Sequence, residues 1–226
     1  MGREWARLTG TSSMSGQGAI IATAVASVIA AAVGVAAMGI AIALIGAAVV
    51  WRLAIATGVR EPLWAALGTL WIALPGVALI WVDAAPQGRE AVLWLFAVVW
   101  ASDIGAYAAG RALGGPRLAP ALSPNKTWAG AVGGLVVAGL AGYGAARLVH
   151  GAAAPIVAAS LALSLAAELG DLAESFAKRK FGVKDSGGII PGHGGLLDRL
   201  DSLLTAAVVQ GLMLLVGAGL GVDLLR

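Results

Sequence analysis

Residues 18–51 read GAIIATAVASVIAAAVGVAAMGIAIALIGAAVVW and contain no charged side chain. A single helix over this stretch would be roughly 50 Å long, well beyond a hydrocarbon core of about 30 Å. We therefore predict two membrane-crossing helices that are divided near Gly34. A secretory signal peptide is the alternative, but the apolar region of such a signal is only about 7–15 residues long.

The composition of the whole chain supports the same class of protein. Of its 226 residues, 59% are hydrophobic and 12% are charged. In soluble domains, by comparison, about 45–50% of residues are hydrophobic and about 25% are charged. So few polar side chains cannot cover a water-facing surface, which excludes a soluble globular fold. The high hydrophobicity excludes intrinsic disorder as well. We predict an all-α fold, a polytopic integral membrane helix bundle with about seven transmembrane helices.

Seven apolar stretches are long enough to cross a bilayer. They lie at 18–33, 35–51, 63–82, 90–109, 128–148, 153–170 and 203–222. Small residues at a spacing of four in the fifth stretch predict close helix packing in lipid; they are Gly130, Gly134, Ala138 and Gly142. We divide the chain into a cytoplasmic N-terminal segment at 1–17, transmembrane helices within 18–109, and a C-terminal region at 110–226 with a cytoplasmic loop at 171–202.

Cationic side chains are distributed unequally between the two sides that seven alternating helices define. The side with the N-terminus has twelve cations: Arg3, Arg7, Arg52, Arg60, Arg111, Arg117, Lys126, Lys178, Arg179, Lys180, Lys184 and Arg199. The opposite side has three: Arg89, Arg147 and Arg226. The positive-inside rule makes the first side cytoplasmic, in a cell inner membrane or plasma membrane. The net charge of +3 then reflects topology and an anionic ligand, and we expect no nucleic acid partner.

Charge is concentrated in residues 168–201, which hold 11 of the 27 charged residues. On a helix that continues the 153–170 stretch, one face carries five polar residues: Asp171, Glu174, Ser175, Lys178 and Arg179. A second helical face carries Asp198, Asp201 and Ser202. Between them lies FGVKDSGGIIPGHGG at 181–195, with six glycines and one proline. This glycine-rich loop cannot be a stable helix, and its glycines allow the close backbone approach of a phosphate cradle.

One interpretation of this segment is a solvated loop whose cations contact anionic lipid headgroups, worth about 1 kcal/mol per cation. It does not explain Asp171 and Asp198, acids that border apolar stretches, where burial without a partner costs several kcal/mol. Carboxylates at a water-filled edge are natural ligands for Mg²⁺, whose coordination is usually completed by substrate phosphates. The chain has no cysteine, which excludes a disulfide, a thiolate metal site and a thiol nucleophile. We predict a metal and phosphate site.

A second polar cluster is predicted on the same side of the membrane. Asp103, Tyr107, Gly110 and Arg111 form a stripe near the end of the 90–109 stretch, and an ion pair between Asp103 and Arg111 is the alternative to a functional role. The following loop, SPNKTWAG at 123–130, predicts a helix that begins near Trp128. Its serine and threonine suit capping and Pro124 suits the first turn. Lys126 would then be presented to an anion at that helix N-terminus.

Two of these segments resemble a known family. SFAKRKFGVKDSGGIIPGHGGLLDRLD at 175–201 resembles the signature of the phosphatidate cytidylyltransferase, or CDP-diacylglycerol synthase, family throughout its spacing. SPNKTW at 123–128 is similar to the family's SPxKTWEG segment, and the resemblance covers at least residues 100–205. Ala129 replaces the family's Glu, which puts a polar contact in doubt. Ala177 replaces a larger aliphatic residue, on a turn that we expect to face lipid. EWARL at 4–8 looks like a stretch that follows one or two earlier spans in relatives.

The resemblance implies transfer of a cytidylyl group from CTP to phosphatidic acid, with Mg²⁺, at the cytoplasmic face. It carries Asp171 and Asp198 over as metal ligands, and a monovalent cation such as K⁺ is a further family-level expectation. We expect Lys178 and Arg179 to act with these acids in catalysis. The remaining candidates for substrate binding are Asp103, Ser123, Lys126, Ser175, Lys184, Asp185, His193, Gly194, Gly195, Arg199 and Asp201. The expected partners are CTP and phosphatidic acid as substrates and the lipid bilayer. We also expect the chain to form a homodimer.

Three other functions stay open at this point. A CTP-dependent polyprenol or phytol kinase would transfer the γ-phosphate to a hydroxyl group, and a CDP-archaeol synthase would use ether lipids. A proton-coupled transporter with Asp103, Asp171 and Asp198 as a relay is the non-enzymatic alternative. A CDP-alcohol phosphotransferase is disfavoured, because its DG-x2-AR…G…D-x3-D pattern is absent from the sequence.

Overall fold

The computed structural model describes residues 1–188 and 194–220, with side chains as far as residue 217. Within these ranges the chain forms eight α-helices and one two-stranded antiparallel sheet. The helices are α1 Gly2–Leu8, α2 Met14–Ala32, α3 Ala36–Ala56, α4 Pro62–Asp83, α5 Gly88–Leu113, α6 Trp128–Leu148, α7 Ala153–Lys180 and α8 Leu197–Leu220. The strands are β1 Arg117–Ala119 and β2 Ser123–Thr127.

Seven of the described helices, α2 to α8, are long and apolar enough to cross a membrane. The predicted all-α, multi-pass membrane bundle is therefore confirmed. The uncharged N-terminal stretch is divided where it was predicted to be, since α2 ends at Ala32 and α3 begins at Ala36. Gly34 between them has a φ of 87°, a left-handed conformation that glycine adopts without steric cost.

Helix α7 places the charged segment at the edge of the bundle. Its 28 residues extend about 42 Å at about 1.5 Å per residue, longer than a hydrocarbon core of about 30 Å. The polar face from Asp171 to Arg179 therefore belongs to the same continuous helix as the apolar stretch, as predicted. Helix α8 begins at Leu197 and likewise carries Asp198 and Asp201 directly into the last apolar stretch.

The segment before α6 is a β-hairpin, which the sequence analysis did not anticipate. β1 pairs with β2 through Arg117 opposite Thr127 and Ala119 opposite Ser123. The prediction that Pro124 lies in the first turn of a helix is wrong, because Pro124 is in β2 and α6 begins at Trp128. A two-stranded ribbon consists of edge strands alone, where proline is tolerated. Thr127 does cap α6 as predicted, accepting a hydrogen bond from Gly130 N at 3.0 Å.

The segments that were predicted to share one side of the membrane meet at one end of the bundle. Glu61, between α3 and α4, forms an ion pair with Lys180 at the end of α7, at 3.0 Å. Arg179 Nε donates to the Leu122 carbonyl in the hairpin turn at 3.3 Å. The α3–α4 loop and the hairpin thus both flank the C-terminal end of α7.

Helix α1 is fixed to this end of the bundle by Trp5. The Trp5 ring is 1% exposed, its Nε1 donates to the Trp64 carbonyl at 2.8 Å, and it meets Trp71 edge-on with ring centroids 5.7 Å apart. Ala177 belongs to the same buried cluster and is 0% exposed. The expectation that Ala177 faces lipid is therefore wrong, because its side chain is buried inside the protein in the cluster that contains Trp5 and Leu197.

Gly68 of α4 permits the close approach of α1, and this yields a prediction. A Cβ at position 68 would overlap the indole ring of Trp5, which is too tightly enclosed to move aside. We expect Gly68→Ala to lower the free energy of unfolding by about 1–3 kcal/mol, the usual cost of overpacking. Gly144→Ala in α6 is the control, since nothing lies within 4 Å of its added Cβ. Thermal unfolding in detergent measures both, and equal stability of the two variants would contradict this packing.

Candidate metal and phosphate site

The site forms where α7 and α8 approach each other closely. Gly170 of α7 faces α8 so tightly that an added Cβ would lie 2.8 Å from the Asp201 carbonyl oxygen. This contact brings the acidic face of α7 next to the first turn of α8. We call the resulting group the acid–lysine cluster; its members are Glu168, Asp171, Glu174, Lys178, Asp198 and Asp201 from the two helices, and Lys126 from β2.

Asp198 joins α7, the glycine-rich loop and α8. Its carboxylate accepts hydrogen bonds from the Ser186 backbone N–H at 2.9 Å and hydroxyl at 2.9 Å, and from the Gly195 backbone N–H at 2.8 Å. Lys178 Nζ lies 2.7 Å from its Oδ1. Charge-assisted hydrogen bonds of this kind are about twice as strong as neutral ones. Asp198 therefore fixes the conformation of the described parts of the loop as well as carrying charge.

Lys178 is held between two carboxylates. Besides Asp198, its ammonium contacts Glu174 Oε2 at 2.5 Å. The Glu174 side chain is 0% exposed, and its Oε1 has no hydrogen-bond partner among the described residues. Burial of an ionised carboxylate is costly unless it is paired, and Lys178 is the ion-pair partner of Glu174 among the described residues. We predicted that Lys178 acts with Asp171 and Asp198 in catalysis; in the structure its ion pairs are with Asp198 and Glu174.

Lys126 reaches the cluster from the hairpin. Its Nζ lies 2.8 Å from Asp171 Oδ2 and 3.0 Å from Glu168 Oε1. Burial alone would lower the pKa of Lys126, but the adjacent Asp171 and Glu168 carboxylates outweigh burial and raise that pKa above its ordinary value. The lysine is therefore positively charged at neutral pH. The predicted presentation of Lys126 toward the phosphate region is compatible with this position, which lies directly before α6.

Asp171 is accessible as well as paired. Its side chain is 35% exposed, and its Oδ1 accepts a weak hydrogen bond from the Ser175 hydroxyl at 3.4 Å. Asp201 is buried, and its Oδ1 accepts from the Ser202 backbone N–H at 2.8 Å. Asp171 and Asp201 are electrostatic neighbours across the α7–α8 interface. The carboxylates of α7 and α8 thus lie on one acidic surface, where the ion pairs divide them into a group around Lys126 and a group around Lys178.

Asp103 lies next to this surface on α5. Its side chain is exposed, and its charged neighbours are Asp171, Lys126 and Glu168. The alternative ion pair between Asp103 and Arg111 is not among the salt bridges of the described residues. Asp103 therefore interacts with charged residues of the cluster and not with Arg111 at the end of its own helix.

The charge balance of the site leaves room for cations. Two lysines face six carboxylates when Asp103 is included with the cluster. Oxygen donors in surplus are the ligands that Mg²⁺ prefers. Within the described residues, no three acidic or histidine side chains converge into an all-protein metal site. One or two carboxylates completed by substrate phosphates, the usual arrangement for Mg²⁺, fits this donor set.

The other predicted site residues that the structure describes lie in β2, the glycine-rich loop and α8. Lys184 and Asp185 are exposed in the glycine-rich loop, and Ser123 begins β2. The Gly195 N–H donates to Asp198, Gly194 adopts a φ of 82° beside it, and Arg199 lies in the first turn of α8. His193 lies outside the described residues.

Four residues of the site were missed as site residues by the sequence analysis. Glu168 and Glu174 flank Asp171 at three residues on either side, so their shared helix face was the available signal. Ser186 and Glu4 gave no such signal. Ser186 is in an irregular loop, and Glu4 is 192 residues away in sequence from Leu196, the residue whose N–H it binds.

The fold and the cluster define a polytopic membrane protein with an acid–lysine site at one edge of its helix bundle. Residues 1–216 match the model of the cytidylyltransferase family, and the chain belongs to that family. It is similar to the phosphatidate cytidylyltransferases of Brucella suis, at 54% identity over 127 residues, and of Haemophilus influenzae, at 45% over 134 residues.

These matches cover part of each protein. The Brucella suis alignment includes 55% of this chain and 46% of the relative, and the Haemophilus influenzae alignment includes 54% and 44%. The chain thus spans less than half the length of these two relatives. The phosphatidate cytidylyltransferase of Rickettsia bellii is 37% identical over 160 residues, covering 65% of this chain and 67% of the relative.

Proposed function

We propose that the chain transfers a cytidylyl group from CTP to phosphatidic acid, giving CDP-diacylglycerol and pyrophosphate in phospholipid biosynthesis. The observation that carries this proposal is the acid–lysine cluster, which collects the family signature residues at one edge of a membrane bundle. The names of the relatives support the same reaction. A membrane-edge site suits one substrate that is dissolved in water and another that stays in the bilayer.

The reaction depends more on neutralising the negative charges of the two substrates than on a reactive side chain. A phosphate oxygen of phosphatidic acid forms a bond to the α-phosphorus of CTP, and the bond from that phosphorus to the departing pyrophosphate breaks. The nucleophile is already ionised near neutral pH, since the second pKa of a phosphate monoester is about 6, so no strong base is needed. Both reactants are polyanions, and the barrier falls when positioned cations offset their repulsion.

The residues divide this task. We propose that Asp171 and Asp198 hold Mg²⁺, which would supply positive charge to the reacting phosphates. Lys126 and Lys178 each contact one of these acids, so they lie where they can also neutralise phosphate oxygens. Further positive charge and neutral donors would come from Arg179, Lys184, Arg199, Ser123, Ser175, Gly194 and His193, while Asp103, Asp185 and Asp201 orient cations. The Gly195 N–H, a predicted donor to substrate, is already bound to Asp198. A monovalent cation such as K⁺ is proposed beside Mg²⁺ on the surplus carboxylates.

We propose further that this end of the bundle faces the cytoplasm, in an inner or plasma membrane. The support is the excess of twelve cations over three on that side. CTP then meets the site from the side where nucleotides are made. A homodimer stays a prediction.

A labelling experiment distinguishes this function from its rivals. We expect label from α-³²P CTP to enter lipid when phosphatidic acid and Mg²⁺ are supplied to the protein in detergent micelles, and label from γ-³²P CTP to leave with pyrophosphate. Omission of phosphatidic acid is the control. Transfer of γ-label to a polyprenol would establish a kinase and contradict the proposal. Turnover of the ether-linked analogue alone would favour the archaeal-type reaction.

A further inference from the structure

Glu4 is a buried acid that the proposed chemistry does not use. It lies in α1, and its side chain is 1% exposed. The Met1 amino group is 3.2 Å from Oε2, and the remaining contacts of the carboxylate are with the start of α8 and the glycine-rich loop. Buried carboxylates are rarely kept without a specific partner, so these contacts indicate what the residue does.

Each oxygen of the Glu4 carboxylate accepts one backbone hydrogen bond at the start of α8. Leu196 N donates to Oε1 at 2.8 Å, and Leu197 N donates to Oε2 at 3.0 Å. The first N–H groups of a helix have no partner within the helix, and a negative charge there is stabilised by the helix dipole. A residue from the opposite end of the sequence thus caps α8.

Glycines allow the loop to approach this carboxylate. A Cβ at position 195 would lie 2.7 Å from Glu4 Oε1, and one at position 187 would lie 2.8 Å from Glu4 Cγ. Neither distance is tolerated by real Cβ atoms without displacement. Gly187 and Gly195 are therefore required for contact with Glu4, independently of any phosphate cradle.

The same loop segments hold the Asp198 carboxylate. Gly195 N, which precedes the two amides bound by Glu4, donates to Asp198 Oδ2 at 2.8 Å, and Ser186 N, next to Gly187, donates at 2.9 Å. Glu4 of α1 and Asp198 of α8 thus both accept hydrogen bonds from backbone N–H groups in or next to this loop. A shift of residues 195–197 would move Asp198 and, through it, Lys178.

We infer that Glu4 is a positioning residue, which fixes the start of α8 so that Asp198 and Lys178 hold their places in the candidate site. Trp5, the neighbouring residue, anchors α1 to α4 and so fixes Glu4 itself. Glu4 touches no substrate and acts through the loop. This inference rests on the proposed function for its effect on turnover, but its structural part is independent of that function.

Glu4→Gln is the most informative variant. Glutamine has the same size but one acceptor oxygen, and its amide N–H group would face a backbone N–H donor. We expect hydrogen exchange of the amides at 195–197, measured by mass spectrometry on metal-free protein, to become at least about 10-fold faster, because a charge-assisted hydrogen bond is lost. The Mg²⁺ concentration for half-maximal turnover should rise about 10-fold.

Two further variants complete the test. Glu61→Gln is the matched control, since Glu61 also forms an ion pair at this end of the bundle, but with Lys180 of α7; among the described residues that ion pair involves neither the loop nor α8. It should leave both measurements unchanged. Glu4→Asp keeps both acceptor oxygens on a shorter side chain and should restore part of the Mg²⁺ response.

The outcomes separate the two proposals. Unchanged exchange at 195–197 in Glu4→Gln would overturn the inference, whatever the activity. Faster exchange with an unchanged Mg²⁺ response would also overturn it, because Glu4 would then be structural only. If the wild-type chain has no cytidylyltransferase activity, the proposed function fails, while the exchange measurement still decides whether Glu4 holds the start of α8.

Discussion

Asp198→Asn is expected to reduce cytidylyl transfer at least about 100-fold while the helix bundle stays folded. The substitution removes the negative charge that Lys178 contacts at 2.7 Å and replaces one acceptor oxygen with an N–H donor that faces the donors of Ser186 and Gly195. Loss of a charged partner and of an orienting contact at a metal site typically costs about 10–100-fold or more. Initial rates with radiolabelled CTP measure the effect.

Asp83→Asn is the control for this result. Asp83 is an exposed acid at the far end of α4, and the same chemical change there should leave the rate unaltered. Circular dichroism of both variants checks that helix content is retained. A rate for Asp198→Asn within a few-fold of wild type would show that Asp198 has no essential role in the site.

Lys178→Met is expected to lower the free energy of unfolding by about 3–5 kcal/mol, the cost of breaking a buried pair by removing one partner. The reason is Glu174, whose fully buried carboxylate has Lys178 as its ion-pair partner among the described residues. From the sequence alone, Lys178 is expected only to act in catalysis. Thermal and denaturant unfolding in detergent would measure the loss.

The double variant Lys178→Met, Glu174→Gln separates stability from turnover. Removal of the charge from both partners should recover most of the stability, because no unpaired ion then remains buried. Turnover should stay low, because the ammonium that neutralises Asp198 and the substrate phosphates is still missing. Wild-type stability of the single variant, or recovery of activity in the double variant, would contradict the role that we assign to Lys178.

The helix bundle was predictable because it depends on the length, hydrophobicity and residue spacing of each segment taken alone. An uncharged stretch too long for one bilayer crossing must be divided, and the turn at Gly34 follows from that. The small residues of α6 are buried as their spacing predicted. The continuous helix through Asp171 followed from the periodicity of its polar face. Each of these inferences needs only local sequence and the dimensions of the membrane.

Contacts between distant segments were not predictable in the same way. Periodicity places Lys178 on a face with Glu174, but it does not reveal that Asp198 reaches the same ammonium from another helix. Nor does it reveal that Ala177, which was expected to face lipid, is buried in the cluster around Trp5. Pro124 was misassigned because a short strand before a helix has no periodicity of its own. The charged groups could be located from the sequence, whereas their partners required the tertiary structure.

The most direct test of the account is a titration with Mn²⁺, followed by electron paramagnetic resonance, of the wild-type protein and of Asp171→Asn and Asp198→Asn in detergent with CTP present. We expect one tight site in the wild type and at least about 10-fold weaker binding in each variant, with Asp83→Asn unchanged. Wild-type affinity in either carboxylate variant would show that Asp171 and Asp198 do not share a divalent ion, and the proposed site would be contradicted.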